Sequence, residues 1–311
     1  MKKTDIIKRG SRRNGIESMK KRAFYMIMAP YLAFILAFKL FPFLWGIYMS
    51  FTNYTGFNLD SLSFVGLSNY TRVFTDVDAM SSIGRTFGIA FAVVPGSMTI
   101  CLIMSLMLNT KLRGIGAART ICYLPSIIPA VAISIIWKGM YEKNGGFFNA
   151  ILALFNVEAI NWFDFNHVYG ALILMMFWGA GAGVLTNIAA IKCIPESLYE
   201  AAEIEGAGFL RKTFRITLPL MSNMLYMNLL ISIIGVLQMF AEPVLLTGEG
   251  GLTALPARPI YTYLVHVYQQ IFVNMRFSYG LAMIWVIFII IMLITIFAEY
   301  SSKKWVYSES D

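Results

Sequence analysis

The chain has 311 residues, of which 58% are hydrophobic and only 14% carry a charged side chain, and its mean hydropathy is +0.66. A soluble globule of this composition would lack the polar residues that must cover its surface. The composition therefore excludes a soluble protein and predicts an integral membrane protein.

Six stretches are apolar and long enough to cross the bilayer as helices, which takes about 20 residues. They lie near residues 24–51, 83–109, 119–140, 168–191, 219–246 and 279–300. The first follows a basic segment, but it is longer than the apolar region of a signal peptide and has no A-x-A cleavage site. Lys39 within it could snorkel outward, pair with a carboxylate or mark a later start of the span. We predict an all-α, polytopic protein with six transmembrane helices and an uncleaved first span.

The distribution of Lys and Arg predicts which side of the membrane each loop faces. Nine of the 25 precede residue 24. Others fall in the connections after the second, fourth and sixth spans, namely Lys111, Arg113, Arg119, Lys192, Arg211, Lys212, Arg215, Lys303 and Lys304. Positive residues concentrate on the cytoplasmic side, which predicts cytoplasmic tails at 1–23 and 301–311, a membrane domain over 24–300 and a cytoplasmic loop over 192–218. This topology accounts for the net charge of +8, so we expect no nucleic-acid partner.

The sequence lacks the motifs of several catalytic and metal-binding classes. It has no G-x-x-x-x-G-K-[ST] phosphate loop, no H-E-x-x-H, no G-x-S-x-G and no carboxylate pair on one helical face of a span. Cys101, Cys122 and Cys193 show no C-x-x-C spacing. His167 and His266 are isolated in predicted outer loops, where a loop or interface role is expected rather than metal ligation. We predict a protein that is not an enzyme and has no metal site.

Small residues and prolines in the spans predict close packing and bends. The G-A-G-A-G run at 179–183 lets a neighbouring backbone approach closely, which indicates a central fourth span. Pro95 in the second span and Pro125 and Pro129 in the third each remove an intrahelical hydrogen bond. The resulting kinks either serve packing alone or border a path that opens and closes.

A polar stripe on the fifth span predicts a water-accessible cavity. Its members recur at spacings of three and four residues and would share one face of a continuous helix, namely Ser232, Gly235, Gln238, Met239 and Glu242. Polar groups in hydrocarbon are costly unless they meet partners, water or a ligand. The alternative is that Gln238 hydrogen-bonds another helix and Glu242 lies at the outer interface.

The segment EAAEIEGAGFLRKTFRITLP, residues 200–219, differs from its apolar surroundings. Pro195 suits the first turn of a helix, with Glu196 near the positive end of its dipole. Gly206 and Gly208 suit the end of that helix, because glycine adopts the left-handed conformation that closes a helix. A basic turn then leads to Pro219 at the start of the fifth span. We predict a short protruding helix whose small apolar strip comprises Leu198, Ala201, Ala202 and Ile204.

This loop matches the signature of a known family. The pattern E-A-A, three residues, G, nine residues, I, one residue, L-P is met without a gap by Glu200, Ala201, Ala202, Gly206, Ile216, Leu218 and Pro219. The motifs F-P at 41–42, S-F-T at 50–52 and F-V-G-L-S-N-Y at 64–70 agree. The chain resembles, over about residues 24–300, the inner-membrane components of binding-protein-dependent ABC importers, which have the MetI-like permease fold. Within them it is similar to the maltose and glycerol-3-phosphate permease subunits of the carbohydrate-uptake branch.

The resemblance implies a permease subunit of an ATP-driven importer for a sugar or oligosaccharide in a bacterial plasma membrane. The implied partners are a second, homologous permease subunit, two ATPase subunits, an extracellular solute-binding protein, the carbohydrate and membrane lipid. ATP and Mg would bind to the ATPase, so this chain needs no cofactor. The loop helix would be a coupling helix that contacts the ATPase through Glu200, Ala201, Ala202, Glu203, Gly206, Ala207 and Gly208.

The family's sugar-contacting positions are transferred by counting from motifs. Counting back from Glu200 gives Trp178, whose flat ring suits sugar stacking, with Gly179 and Ala182. Counting back from L-L-T at 245–247 gives Ser232, Val236 and Met239. Together with the stripe, the candidate substrate residues are Trp178, Gly179, Ala182, Ser232, Gly235, Val236, Gln238, Met239 and Glu242. The loop after Thr247 lacks the family's G-P and A-T-E-T, which leaves its contact with the binding protein open.

Two other functions are compatible with a membrane protein of this size. A secondary transporter needs ion-coupling charges near the midplane and usually an internal repeat, but the sequence offers only Lys39 and no repeat. A membrane-embedded enzyme needs convergent catalytic groups, and none is evident.

Overall fold

The computed structural model describes residues 20, 22–57, 62–110, 112–248 and 252–307. Its helices are α1 (Arg22–Ser50), α2 (Ser68–Thr75), α3 (Val77–Leu108), α4 (Ile115–Ile127), α5 (Ala130–Tyr141), α6 (Phe147–Leu154), α7 (Val168–Trp178), α8 (Gly181–Cys193), α9 (Glu196–Ile204), α10 (Phe209–Leu220), α11 (Ser222–Leu237), α12 (Ala241–Thr247), α13 (Tyr263–Tyr268, continued by a π-helical turn Gln269–Val273) and α14 (Phe277–Ser302). Within the described residues, extended pairing is limited to a bridge between Thr52 and Phe64. The all-α prediction is confirmed. Most of the predicted tail 1–23, and residues 308–311 of the second tail, lie outside the described residues.

Helices cover all six predicted spans. α1, α3 and α14 are each long and apolar enough to cross a membrane as single helices. The other three predicted spans contain bent pairs: α4 and α5 meet at 100°, α7 and α8 at 41°, and α10 and α11 at 70°. The predicted fifth span, 219–246, also continues past a break at 238–240 into α12. Counting each pair as one span gives six spans by length and composition.

The bends coincide with interruptions of the helical hydrogen bonding. α4 ends at Ile127 and α5 begins at Ala130, with Pro129 between them in an extended conformation. Because proline has no N–H to donate, the 100° bend confirms the predicted kink at Pro129. By contrast, α3 continues through Pro95 and α4 continues through Pro125 without a break.

The second span lies at the centre of the bundle. α3 packs against α7, α8, α11 and α13. Its buried residues recur every three or four positions from Ala79 to Val93 and continue at wider spacing to the end of the helix, namely Ala79, Ser82, Thr86, Ile89, Val93, Val94, Cys101 and Ser105. The buried hydroxyls of Ser82 and Thr86 donate to carbonyl oxygens one helical turn back. Thr86 also accepts the backbone N–H of Tyr263 at 2.9 Å, which ties α13 to the bundle.

Glycines allow the fourth span to approach its neighbours. A Cβ atom on Gly181 would overlap the carbonyl oxygen of Cys122 in α4, and a Cβ on Gly183 would lie 2.8 Å from the Cys101 Sγ in α3. The Cys101 thiol donates to the Ala180 carbonyl at 2.9 Å. These contacts confirm the close packing predicted from the G-A-G-A-G run, and they place the fourth span beside the second in the centre.

The first span has little contact with the rest of this chain. Its Phe41–Ser50 segment packs against α14, whereas the most apolar part of α1 has no buried residue. Lys39 is exposed in a π-helical turn, Leu36–Leu40, and none of the described carboxylates pairs with it. Among the described residues Lys39 therefore has no ion-pair partner, and snorkelling toward the interface stays a prediction.

Candidate functional site: a membrane cavity and a protruding loop helix

A cavity of about 400 Å³ lies between the second, third, fourth and fifth spans. The bend at Pro129 brings the facing ends of α4 and α5 into its wall. Most of the lining is apolar, and the polar members are Ser97, Ser126, Ser232 and Glu242. A mostly apolar cavity with a few polar groups is the usual form of a small-molecule site. We call it the central cavity.

A second cavity of about 270 Å³ adjoins the central cavity. The two share lining residues, namely Ser97, Gly179, Ala180, Ala182 and Ser232. In its wall the Asn228 Nδ2 donates to the Asn187 Oδ1 at 2.9 Å and to the Thr186 Oγ1 at 3.1 Å. The shared residues show that the two cavities adjoin one another within the bundle.

The structure brings most of the candidate substrate residues to the central cavity: Gly179, Ala182, Ser232, Gly235, Val236 and Glu242 line it. The others lie elsewhere. Met239 is 3% exposed and packs in the hydrophobic core. Trp178 is 41% exposed outside the lining, with its ring edge-on to Trp137 at a centroid distance of 5.9 Å. Gln238 is exposed where α11 ends.

The expectation of one continuous helical face on the fifth span was wrong. α11 ends at Leu237, and Phe240 has non-helical φ and ψ of −136° and −56° before α12 begins at Ala241. The break turns Met239 into the core, where its carbonyl oxygen accepts the Thr262 hydroxyl at 3.0 Å. Glu242 still reaches the cavity, because α12 packs against α5.

Sequence reasoning missed the polar groups that other spans contribute. Ser97 follows Pro95-Gly96 in the second span, and Ser126 lies between the two prolines of the third. Neither serine belongs to a periodic polar pattern. Their nearness to prolines was the available signal, since kinked segments often border cavities.

α9 is the predicted protruding helix. None of its residues is buried, and Ile204 is 89% exposed. At its end the Ala207 N–H donates to the Ala202 carbonyl at 2.8 Å and the Gly206 N–H to the Glu203 carbonyl at 2.9 Å. Gly206 has a φ of +73°. This Schellman motif confirms the predicted role of Gly206.

Gly208 was also expected to end α9 in the left-handed conformation, and that expectation was wrong. Its φ and ψ are −69° and 171°, an extended conformation, and it precedes the first turn of α10. One left-handed residue is enough to close a Schellman motif, so the second glycine instead separates two helices.

Two side-chain contacts attach α9 to α10. The Lys212 Nζ lies 2.6 Å from the Glu203 Oε1, and the hydroxyls of Tyr199 and Thr217 are 2.9 Å apart. Glu200 and Ala201 remain exposed. Nearby apolar side chains are at least 63% exposed, namely Phe209, Leu210 and Phe214. α9 therefore contacts α10 on one side and presents its other side outward.

Comparison with known proteins identifies the family. A model of the binding-protein-dependent transport system inner membrane component matches residues 97–307, which include α9 and all of the central-cavity lining except Val93. The chain belongs to this family. It is 32% identical over 310 residues to the probable ABC transporter permease protein YesP of Bacillus subtilis, covering 96% of this chain and 98% of that protein. It is 30% identical to the lactose transport system permease protein LacF of Rhizobium radiobacter, covering 90% and 94%.

A solved structure shares the fold of the permease. The crystal structure of a bacterial alginate ABC transporter in complex with an alginate pentasaccharide-bound periplasmic protein contains a chain that matches with a TM-score of 0.80. The match covers 93% of the permease and 96% of that chain at 20% identity. At this identity the likeness confirms the permease fold.

A buried polar cluster lies at the end of the permease opposite α9. His266 is 4% exposed, with its Nδ1 2.8 Å from the Tyr261 hydroxyl and its Nε2 3.6 Å from the Asp76 Oδ2. Asp76 caps α3 through the N–H groups of Asp78 and Ala79 and accepts the Tyr279 hydroxyl at 2.8 Å. The cluster joins α3, α13 and α14, so His266 lies at the contact between these helices.

Burial lowers the pKa of His266 below its ordinary value of 6.5, although Asp76 opposes the shift. Burial raises the pKa of Asp76, but the hydrogen bonds from Tyr279 and the backbone, with His266, outweigh it and leave that pKa below 3.8.

We expect the permease to lose thermal stability as the pH falls below about 6.5. The folded state binds the His266 proton more weakly than the unfolded state does, so the full stability is present above that pH and declines below it. His266→Gln should flatten the dependence of Tm on pH between about 6.5 and 5 in detergent. His167→Gln, at an exposed position, is the matched control and should leave the profile intact. A profile unchanged in His266→Gln would contradict this explanation.

Proposed function

We propose that the chain is a permease subunit of an ATP-driven importer for a sugar or oligosaccharide. The observation that carries the proposal is that the E-A-A signature coincides with the unburied helix α9, closed by Gly206, in a member of the binding-protein-dependent family. The names of the lactose and alginate systems support a carbohydrate substrate. The alginate complex supports an extracellular binding protein as a partner.

In this proposal the two adjoining cavities form this subunit's half of the translocation path. The serine hydroxyls and the Asn228 amide suit hydrogen bonding to sugar hydroxyls, and six of the candidate substrate residues line the central cavity. Trp178, Gln238 and Met239 lie near the ends of the helical breaks at 179–180 and 238–240. They would contact the sugar in another conformation of the importer, in which these breaks move.

The loop helix would couple the path to the ATPase. In this proposal Glu200, Ala201 and Ala202 lie in a groove of the ATPase, because small side chains let the helix approach closely. Glu203 already pairs with Lys212 and would hold α9 in place, while residues 206–208 form the turn that ends it. Closure of the ATP-bound ATPase dimer would move α9 and change which side of the membrane the cavity faces. A second permease subunit completes the path, and α9 faces the cytoplasm.

Uptake by membrane vesicles tests the importer against the secondary transporter. We expect transport of the sugar that the binding protein delivers to continue when ion gradients are collapsed, provided that ATP is present inside. The result follows because ATP hydrolysis supplies the driving force. Vesicles with ion gradients but without ATP are the control and should show no uptake. Uptake that depends on the gradients and not on ATP would favour ion coupling and contradict the proposal.

A further inference from the structure

Glu242 is the one charged side chain in the lining of the two cavities, as far as the structure describes the chain. It is half-buried, and its carboxylate makes no hydrogen bond or ion pair with any of the described residues. A lone carboxylate within a membrane bundle is unfavourable unless water or a ligand solvates it. Helix packing alone therefore gives no reason for a glutamate here.

The fold holds Glu242 in this position. Its neighbours in α12, Pro243 and Val244, are buried, and α12 packs against α5 and α7. On the other side of the break, the Thr262 hydroxyl fixes the Met239 carbonyl. The carboxylate is thus directed at the cavity by a packed helix rather than by a mobile loop.

No other charge in the described lining offsets Glu242. The remaining polar groups are the hydroxyls of Ser97, Ser126, Ser232 and Thr186, the amides of Asn187 and Asn228 and the thiol of Cys101. These groups are uncharged, and no Lys, Arg or His lines either cavity. A carboxylate oxygen accepts hydrogen bonds from sugar hydroxyls, whereas it repels a second carboxylate in a site of low dielectric constant.

We propose that Glu242 makes this path selective for uncharged carbohydrates and against acidic ones such as uronates. This inference rests on the proposed function, since it names the class of sugar that the path takes. It separates this permease from the alginate importer, which carries an acidic polysaccharide and shares only the fold at 20% identity. Glu242 accepts sugar hydroxyls and sets the electrostatic potential of the central cavity.

Charged thiol reagents measure this potential without any transport. The Ser232→Cys variant reports on the central cavity once Cys101, Cys122 and Cys193 have been replaced by serine. Their replacement is necessary because Cys101 lines the adjoining cavity. In vesicles that contain the assembled importer, we compare cationic and anionic methanethiosulfonates of similar size, corrected for their rates with a free thiol. We expect the ratio of the cation's reaction rate to the anion's reaction rate to be about tenfold higher at this cysteine than at a free thiol.

Three further variants in this background assign the preference to its source. Glu242→Gln should remove most of the tenfold preference, whereas Glu242→Asp, which keeps the charge, should retain it. Glu158→Gln changes an exposed carboxylate outside both cavities and should have no effect. A preference that is absent from the start, or that survives Glu242→Gln, would overturn the inference.

Protection of the same cysteine by sugars tests the carbohydrate class. Maltotriose should slow labelling by an uncharged reagent, and trigalacturonate should slow it only in the Glu242→Gln background. Equal protection by both sugars with Glu242 in place would overturn the selectivity. Protection by neither would count against a sugar path, and so against the proposed function, while the reagent ratio still decides whether Glu242 sets the potential.

Discussion

Glu200→Lys should abolish ATP-driven uptake while leaving the permease folded in the membrane. Glu200 is exposed on α9 and makes no hydrogen bond or ion pair with the described residues, so its replacement should change the free energy of unfolding by less than about 0.5 kcal/mol. At the proposed contact with the ATPase, the reversed charge would be left opposite a basic group. We expect uptake in vesicles to fall at least tenfold, with unchanged membrane content and Tm, because losing one buried charge pair costs several kcal/mol.

The control for this variant is Glu158→Lys. Glu158 is also exposed, but it lies in the connection between α6 and α7 rather than on α9, so uptake should stay normal. Normal uptake and normal co-purification of the ATPase in Glu200→Lys would remove Glu200 from the coupling contact. Loss of ATPase co-purification would mean that the ATPase no longer binds the permease. Normal co-purification with lost uptake would mean that the ATPase binds but no longer moves α9.

Gly206 provides a second perturbation of the same loop through the backbone. A Cβ at this position would meet no atom within 4 Å, so a substitution strains only the left-handed conformation at φ +73°. We therefore expect Gly206→Val to misplace α9 and impair uptake more than Gly206→Asn does, because asparagine tolerates this conformation. Neither substitution changes the side chains on the exposed side of α9, so the comparison tests the orientation of the helix alone.

Gly181→Ala should sharply reduce the amount of folded permease. The added methyl group would overlap the Cys122 carbonyl oxygen, and this neighbour is backbone that cannot rotate away. Overpacking of this kind costs about 1–3 kcal/mol, and more where backbone must move. We expect a Tm several degrees lower and less protein in the membrane fraction, since α4 and α8 would be forced apart beside the central cavity.

Gly170→Ala is the matched control for this prediction. Gly170 also lies in the fourth span, but a Cβ there meets no atom within 4 Å. Because alanine favours a helix over glycine by about 1 kcal/mol, this variant should be as stable as the parent or slightly more so. Equal Tm values for the two alanine variants would contradict this prediction, because they would show that the α4–α8 contact can accommodate the added methyl group.

Much of the fold could be predicted from the sequence because the bilayer simplifies the problem. Backbone groups in hydrocarbon must bond within their own segment, so each long apolar run becomes a helix, and helices do cover all six runs. The end of α9 was equally predictable. A Schellman motif depends on one residue that tolerates positive φ, and Gly206 supplies it locally.

The candidate site could be predicted only in part, because it depends on where helices stop. Periodicity placed Ser232 and Glu242 on one face of an uninterrupted helix, and both do line the central cavity. Met239 belongs to the same periodic pattern, yet it is buried in the core. The local signal for the break is Pro243, which has no N–H for the Met239 carbonyl four residues earlier, and the periodic pattern took no account of it.

The sequence by itself determined that this protein lies in a membrane, that it has six apolar spans and that a helix projects between the fourth and fifth spans. Each of these features depends on local composition and backbone conformation. Only the tertiary structure decided the course of the path through the bundle. Contacts among α5, α12 and the Thr262 hydroxyl stabilise the break in the fifth span, and the bend at Pro129 brings Ser126 toward Ser97. The local sequence predicts the bend at Pro129, but it does not predict which residues meet across the bundle, because those residues are far apart in the chain.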